Sequence, residues 1–337
     1  MFDKNVEFYN VAEIIEQEGE KCFTRIPDKL RVTLNENAKL AALYTAGCEI
    51  RFNLKSETGK IVLKTESESQ SESHLAEVYQ GMFKVASHII SSEPTEISIS
   101  LPDKIELLNK ITKEKKFPFN PYLSRVILPY RAVTKVIDIK GKFSLPAKEQ
   151  TPQTKYLAYG SSITHGSSAS RPTGTYAMRT AQLLGVDLIN LGFGGGAHCE
   201  EQMADYIAKR NDWDFATLEL GINMVGGFET ADFKKRVEYF IRKVATTHSD
   251  KWIFCIGLFT FYADFDPAST KQNEFRKIVK ETVEKLNMPK LVHLDGRDIL
   301  ENPSGLMGGD LVHPSPGGMD EMARNLTQYI RKFLLKN

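Results

Sequence analysis

The sequence predicts an α/β fold: a doubly wound, mostly parallel sheet of five strands, preceded by an all-β sandwich or jelly roll. Two observations predict it. From residue 155 onward, short apolar runs alternate with segments whose apolar residues recur at helical spacing, which is the pattern of strands joined by helical crossovers. Before residue 145, short runs alternate apolar and polar side chains between turn residues, which is typical of antiparallel strands.

The first half is predicted to consist mainly of short strands. They are expected within residues 31–43, 48–56, 59–67, 95–102 and 133–143. Residues 66–73 are a polar low-complexity run, which predicts a solvated loop. Residues 117–130 carry three prolines and predict an irregular or edge segment, because proline cannot donate to a strand ladder.

A linker is predicted between the two halves. Residues 145–155 carry two prolines and no apolar periodicity, so we place the boundary between a β domain, residues 1–148, and an α/β domain, residues 149–337. In the α/β domain, strands are expected within residues 155–160, 186–192, 215–223, 251–259 and 291–300, and helices within 175–185, 200–210, 232–248, 269–287 and 316–336. Because the carboxyl ends of parallel strands meet at one sheet edge, residues that follow these strands are candidates for chemistry.

Composition argues against several classes of protein. The formal net charge is +1, which predicts neither a nucleic-acid partner nor an anionic membrane partner. There is no run of 18 apolar residues, and the N-terminus lacks the basic and apolar regions of a signal peptide, so neither a transmembrane helix nor a leader is expected. The four cysteines are scattered without metal-ligand spacing, which is typical of buried free thiols. We therefore expect a cytoplasmic protein with no metal and no cofactor; the oligomeric state stays open, a homo-oligomer included.

Two segments of the α/β domain could attack and stabilise a carbonyl group. Ser161 and Ser162 follow the first predicted strand, where a serine is a candidate nucleophile, although a serine pair also suits an N-cap or a turn. Residues 190–198 form a glycine-rich loop whose N–H groups can approach an oxyanion or a phosphate, with a merely flexible loop as the alternative. The run from Gly192 to Ala197 also matches the dinucleotide-binding pattern G-x-G-x-x-A, but it follows the second strand and leaves the other segments without a role.

Two further segments supply polar side chains. Asn223 follows the third predicted strand, where its amide can donate toward the same sheet edge or cap the next turn. Asp310 and His313 stand three residues apart, so the carboxylate can orient an imidazole that faces the serine. Metal ligation or helix capping would use the same two residues. Asp295 and Asp298, after the fifth strand, are an alternative acid, with capping as their ordinary role.

In combination, these segments resemble the four sequence blocks of the SGNH (GDSL-type) serine hydrolases, in the right order over about 150 residues. The resemblance implies a serine esterase with a flavodoxin-like sheet that needs no metal or cofactor. It implies Ser162 as the nucleophile, His313 as the general base and Asp310 as the acid that orients the base. It also implies an oxyanion hole made by the N–H groups of Ser162 and Gly195 and by the side-chain amide of Asn223.

Two positions depart from the pattern of that family. Ser161 stands where the family usually has an aspartate before the nucleophile, and Met224 stands where it usually has an aspartate after the asparagine. Neither position takes a direct part in the chemistry that the resemblance implies, so activity is still expected. The first departure does raise the question of what supports the nucleophile loop.

The order of a β-rich domain and then an SGNH domain resembles two-domain carbohydrate esterases. That resemblance implies removal of acetyl groups from a sugar or oligosaccharide ester. A lipase-type or thioesterase-type hydrolase, and a non-catalytic carbohydrate-binding protein with a vestigial site, are the alternatives. The candidate substrate-binding residues are His165 and His198, beside the motif loops, and Phe261 and Tyr262, after the fourth strand. The alternative is that these side chains are packed in the core or solvated.

Overall fold

The computed structural model describes residues 4–17, 19–66 and 74–334. Before residue 145, its strands are β1 (Glu7–Tyr9), β2 (Glu13–Gln17), β3 (Glu20–Thr24), β4 (Glu49–Leu54), β5 (Gly59–Glu66), β6 (His74–Gln80), β7 (Phe83–Ile90), β8 (Thr95–Ile99), β9 (Leu123–Ile127), β10 (Val133–Lys140) and β11 (Phe143–Ser144). They form two antiparallel sheets, one in the order β1-β4-β9-β6-β7 with β11 beside β4, the other in the order β2-β3-β10-β5-β8. The loop predicted at residues 66–73 lies, from residue 67 on, outside the described residues.

An apolar core lies between these two sheets. Phe52 of β4 and Val126 of β9 pack with Ile61 of β5 from the other sheet, and all three side chains are fully buried. The predicted β sandwich is therefore confirmed. The first half also contains helices, which the sequence did not predict: α1 (Asp28–Arg31), α2 (Glu36–Ala41) and α3 (Ile105–Lys115).

The strand predicted within residues 31–43 is wrong, because this segment contains helix α2. The side chain of Asn35 accepts a hydrogen bond from the backbone N–H of Ala38 at 3.1 Å and so caps the helix. An asparagine N-cap contributes about 1 kcal/mol to a helix. The alanines, leucine and lysine that follow it have high helix propensity, and these local signals outweigh the apolar alternation.

Of the irregular or edge segment predicted within residues 117–130, the edge alternative is wrong, because β9 is central. It pairs with β4 on one side and β6 on the other, and all of its residues are buried. Pro118, Pro121 and Pro129 lie outside β9, so the ladder loses no N–H donor to them.

The second half is a parallel sheet with helices on both faces. Its strands are β12 (Lys155–Gly160), β13 (Asp187–Gly192), β14 (Phe215–Glu219), β15 (Trp252–Ile256) and β16 (Leu291–Leu294), and its helices are α4 (Ser162–His165), α5 (Tyr176–Leu184), α6 (Glu201–Lys209), α7 (Thr230–Thr247), α8 (Lys271–Leu286) and α9 (Pro316–Leu334). The order is β13-β12-β14-β15-β16, and every pair is parallel. Helices α5 and α9 cover one face, and α6, α7 and α8 cover the other. The predicted doubly wound fold is confirmed.

Buried arginines join the two halves of the chain. Arg51 donates to both carboxylate oxygens of Asp187 at 2.7 Å, and removing one partner of such a buried pair costs about 3–5 kcal/mol. Arg25 donates to the carbonyl oxygens of Asn190 and Gly192 at 2.9 and 2.8 Å. These contacts hold the first half against β13, whose carboxyl end leads into the glycine-rich loop.

The segment between the halves connects β11 to β12. It includes a short 3-10 turn at Lys148–Gln150. The domain boundary that we place at residues 148/149 stays a prediction. Within the described residues, no helix is both long enough and apolar enough to cross a membrane.

Candidate active site

Ser162 is the first residue of α4, immediately beyond the carboxyl end of β12. Ser161 is the N-cap, and its Oγ accepts from the N–H of Ile163 at 3.1 Å. A Cβ atom on Gly160 would lie 2.3 Å from Thr164 Oγ1, which only glycine avoids. The strand can therefore turn sharply into α4, and this turn presents the Ser162 side chain at the sheet edge.

His313 and Asp310 reach Ser162 from the loop before α9. Ser162 Oγ lies 2.8 Å from His313 Nε2, and His313 Nδ1 lies 2.6 Å from Asp310 Oδ2. The other carboxylate oxygen of Asp310 accepts from the N–H groups of Val312 and His313 at 2.9 and 3.1 Å. Partial burial raises the pKa of Asp310, but the hydrogen bonds from the His313 ring and these two N–H groups outweigh it and leave the pKa below its ordinary value. A negatively charged Asp310 therefore orients the imidazole toward the serine.

Asn223 and Gly195 line the same cavity as Ser162 and His313. Asn223 Oδ1 accepts from the N–H of Ala197 at 3.2 Å, which leaves the Nδ2 group of the same amide as the donor available to the cavity. Gly195 has φ +68°, in the left-handed region, and a Cβ on Gly194 would lie 3.7 Å from Ser162 Cβ. The glycine-rich loop thus brings its backbone next to the serine.

The glycines of this loop also serve packing, which the sequence reasoning did not anticipate. A Cβ on Gly192 would lie 2.2 Å from the N atom of His165 in α4. A Cβ on Gly196 would lie 2.4 Å from the N atom of Ala38 in α2. Both glycines are required by close backbone approach, one to the nucleophile helix and the other to the first half of the chain.

The first half forms part of the site. Asn37 of α2 donates through Nδ2 to the carbonyl oxygen of Gly195 at 3.2 Å. Sequence reasoning missed Asn37 because it placed this segment in a strand; the signal that would have found it is the N-cap pattern starting at Asn35. The cavity around Ser162 has a volume of about 450 Å³, and its lining from the first half is Asn37, Leu40, Ala41, Tyr44 and Arg131.

The four candidate substrate-binding residues are not equivalent. Phe261 and Tyr262 line the cavity in an edge-to-face pair with ring centroids 5.3 Å apart; Phe261 is buried, whereas Tyr262 is 52% exposed. His165 also lines the cavity. His198 is not among the described residues that line it, and its ring packs edge-on against Phe228 at 5.0 Å.

His165 is buried and holds α4 in place. Its Nε2 lies 2.6 Å from the carbonyl oxygen of Tyr130, and its Nδ1 lies 3.1 Å from that of Gly192. Burial, assisted by the charge of Arg25, lowers the pKa of His165 to about 3, although the hydrogen bonds to the two carbonyl oxygens act in the opposite direction. Because both ring nitrogens face backbone carbonyls, neither is available to bind a substrate.

The alternative acid, Asp295, is engaged elsewhere. It accepts from the backbone N–H and the guanidinium of Arg297, at distances of 2.6 to 3.0 Å. The carboxylate that contacts His313 is that of Asp310.

Comparison with known proteins identifies the second half. Residues 158–320 match the model of the GDSL-like lipase/acylhydrolase family. A search of curated proteins found no match.

Solved structures share the whole two-part architecture. The salicylyl-acyltransferase SsfX3 from a tetracycline biosynthetic pathway has a TM-score of 0.81 at 16% identity, over 98% of this chain and 96% of that one. A Bacteroides ovatus protein described as a GDSL-like lipase has a TM-score of 0.71 at 19% identity, over 98% of each chain. A family two carbohydrate esterase from Clostridium thermocellum, in complex with cellohexaose, has a TM-score of 0.60 at 16% identity, over 86% of this chain and 94% of that one.

At these identities the structural matches support the fold, and the family match adds the type of chemistry. The similarity to SGNH hydrolases that the sequence motifs predicted is confirmed. Residues 158–320 are therefore a GDSL-like lipase/acylhydrolase domain, and this match makes the protein a hydrolase of carboxylic ester bonds.

Proposed function

We propose that the protein is a serine esterase that removes short acyl groups, above all acetyl, from a sugar or oligosaccharide. One observation carries the proposal: the chain of contacts from Ser162 through His313 to Asp310 opens into a cavity that Asn223 and Gly195 also line. A nucleophile, its base, an orienting carboxylate and oxyanion donors are the parts that acyl transfer through serine requires.

The proposed reaction has two stages. Ser162 Oγ attacks the ester carbonyl while His313 Nε2 takes its proton, and the Asp310 carboxylate stabilises the imidazolium. His313 then protonates the departing sugar oxygen, which leaves an acyl group on Ser162. The same imidazole deprotonates a water molecule that attacks this acyl-enzyme, and it returns the proton to Ser162 Oγ as the acid is released. In both stages the Asn223 amide and the N–H groups of Ser162 and Gly195 stabilise the oxyanion.

The lining of the cavity supports a short acyl group and a polar alcohol. Ile222, Val225 and Val312 offer a small aliphatic surface near the catalytic residues. On the side of the first half, Asn37 offers a polar amide, and from the second half the half-exposed ring of Tyr262 offers a face on which a sugar can stack. The C. thermocellum esterase with cellohexaose, and a Butyrivibrio proteoclasticus acetyl xylan esterase with a TM-score of 0.52 at 12% identity, support this class of substrate by analogy of fold.

Hydrolysis of p-nitrophenyl acetate, butyrate and octanoate tests the acyl preference. We expect kcat/KM to be highest for acetate and to fall by about tenfold or more at octanoate, since one methylene in a fitted pocket changes discrimination by about 1–3 kcal/mol. A preference for octanoate would instead support a lipase-type or thioesterase-type enzyme. Wild-type protein that turns over none of the three esters would support a binding protein with a vestigial site.

The Asp310→Asn substitution tests whether three residues or two carry the proton transfer. The amide oxygen can still accept from the backbone, but an amide nitrogen facing His313 Nδ1 favours the wrong tautomer, so we expect kcat to fall by about 100-fold or more. The matched control is Asp295→Asn, which lies outside this chain of contacts and should keep wild-type activity. Nearly full activity in Asp310→Asn would reduce the triad to a Ser162–His313 dyad.

A further inference from the structure

We propose that Glu219, the last residue of β14, is a positioning residue that holds the nucleophile turn and replaces the aspartate that related hydrolases usually carry at position 161. The proposal rests on the proposed function only in taking Ser162 as the nucleophile. It follows from contacts beneath Ser162 that none of the catalytic roles above uses.

Glu219 is buried directly under the turn. Its Oε2 accepts from the N–H of Ser161 at 2.6 Å and from the Thr164 hydroxyl at 3.1 Å. The Thr164 hydroxyl lies 2.7 Å from the hydroxyl of Tyr176 in α5. One carboxylate oxygen therefore ties the first and last parts of the turn around Ser162 to strand β14.

The sequence is adapted to this carboxylate. A Cβ atom on Gly160 would lie 2.4 Å from Glu219 Oε2, so the approach of Glu219 requires glycine at this position. Ser161 has no carboxyl group of its own, and its hydroxyl serves as the N-cap of α4. A neighbouring strand thus delivers the acid that position 161 lacks.

The carboxyl group occupies an unfavourable environment. Glu219 is 1% exposed, and its Oε1 has no hydrogen-bond partner within the described part of the chain. Burial raises the pKa of Glu219 above its ordinary value, although the hydrogen bonds from Ser161 and Thr164 act in the opposite direction. Burial of an acid with an unpaired oxygen lowers the stability of the fold. Buried acids with shifted pKa values are found most often at functional sites.

The link to catalysis is geometric. Ser162 follows directly on the peptide N–H that Glu219 holds, so a shift of the Ser161 peptide moves both Ser162 Oγ and the Ser162 N–H. The first atom lies 2.8 Å from His313 Nε2, and the second is a proposed oxyanion donor. Misplacing a reacting group by about 1 Å can cost about 100-fold in rate.

A double-mutant cycle of Glu219→Gln and Ser161→Asp tests the proposal. The readouts are kcat and KM for p-nitrophenyl acetate, thermal stability, and the rate at which a fluorophosphonate labels Ser162. Labelling forms an Oγ–P bond and expels fluoride, so it reports on the nucleophile without depending on the natural ester. We expect Glu219→Gln to lower kcat and the labelling rate by about 10- to 100-fold while KM changes little.

The Ser161→Asp substitution, alone and combined with Glu219→Gln, tests whether the carboxylate can be supplied from position 161. Ser161→Asp alone should also lower the labelling rate, because it places two buried carboxyl groups side by side. The double variant should label at least about tenfold faster than either single variant, because it restores one carboxylate, now at position 161. The matched control is Glu77→Gln, another buried glutamate that accepts a backbone N–H, from Thr173 at 2.9 Å, and it should keep the wild-type labelling rate.

The outcomes separate the possible explanations. Wild-type labelling in Glu219→Gln, or a rise in KM with kcat unchanged, overturns the proposal. A Glu219→Gln variant that does not fold leaves the decision to the double variant: recovered folding with fast labelling supports the proposal, and failure to recover overturns it. If wild-type protein labels at Ser162 but hydrolyses no ester, the proposed function fails while the role of Glu219 is still measured.

Discussion

Replacing Ser162 by alanine is expected to lower kcat for p-nitrophenyl acetate by about 10⁴-fold or more, because it removes the protein atom that forms the acyl-enzyme bond. Thermal stability should be close to that of wild type, since the side chain contacts the partly exposed His313 and supports no core packing. The measurement is steady-state hydrolysis with a folded-state check by circular dichroism. Ser170→Ala, at an exposed serine of the same segment, is the control and should keep full activity.

His313→Ala should cause a loss of similar size, and the double variant should be little worse than either single one. The two residues act as a unit, so removal of the second adds almost nothing once the first is gone. Losses that multiply in the double variant would show that Ser162 and His313 act independently, and would contradict the mechanism.

Substitution of Asn223 has the second-largest expected effect. Asn223→Ala should lower kcat by about 100- to 1000-fold with a smaller change in KM, which is the usual cost of losing one oxyanion donor. Alanine also leaves the N–H of Ala197 without its acceptor, so this variant alone confounds catalysis with loop support. The measurement is kcat and KM for p-nitrophenyl acetate.

Asn223→Asp separates the two effects. One carboxylate oxygen can still accept from Ala197, whereas the other replaces the donor with a negative charge that faces the developing oxyanion. We expect it to be at least as inactive as the alanine variant while the loop keeps its support. Activity retained by Asn223→Asp would show that the Asn223 side chain supports the loop and is not an oxyanion donor.

The parallel sheet and the meeting of the motif residues at one of its edges could be predicted from the sequence, because both follow from the pattern of apolar strands. Ser162, Gly195 and Asn223 each follow a buried parallel strand, and such strands end at one edge of the sheet. The D-x-x-H spacing could be read because Asp310 and His313 lie within one loop. A motif whose residues are close together in the sequence can be recognised without knowledge of the tertiary structure.

Contacts between the halves could not be predicted in this way. The position of α2 over the glycine-rich loop depends on packing between residues about 160 apart in the sequence, and misreading α2 as a strand hid Asn37. In the sequence, Glu219 is a glutamate at the end of a strand with no motif around it. Its role is indicated only by the structure, which shows it buried and accepting the N–H of Ser161. A cytoplasmic location and the absence of a nucleic-acid partner stay predictions.

The most direct test of sugar deacetylation is release of acetate from an acetylated oligosaccharide, such as acetylated cello- or xylo-oligosaccharide, by wild type and by Ser162→Ala. Our account predicts acetate release by wild type and none above background by the variant. Equal release by both proteins would contradict the role of Ser162. Wild-type protein that hydrolyses p-nitrophenyl acetate but releases no acetate from any acetylated oligosaccharide would leave a serine esterase and contradict its assignment to sugar esters.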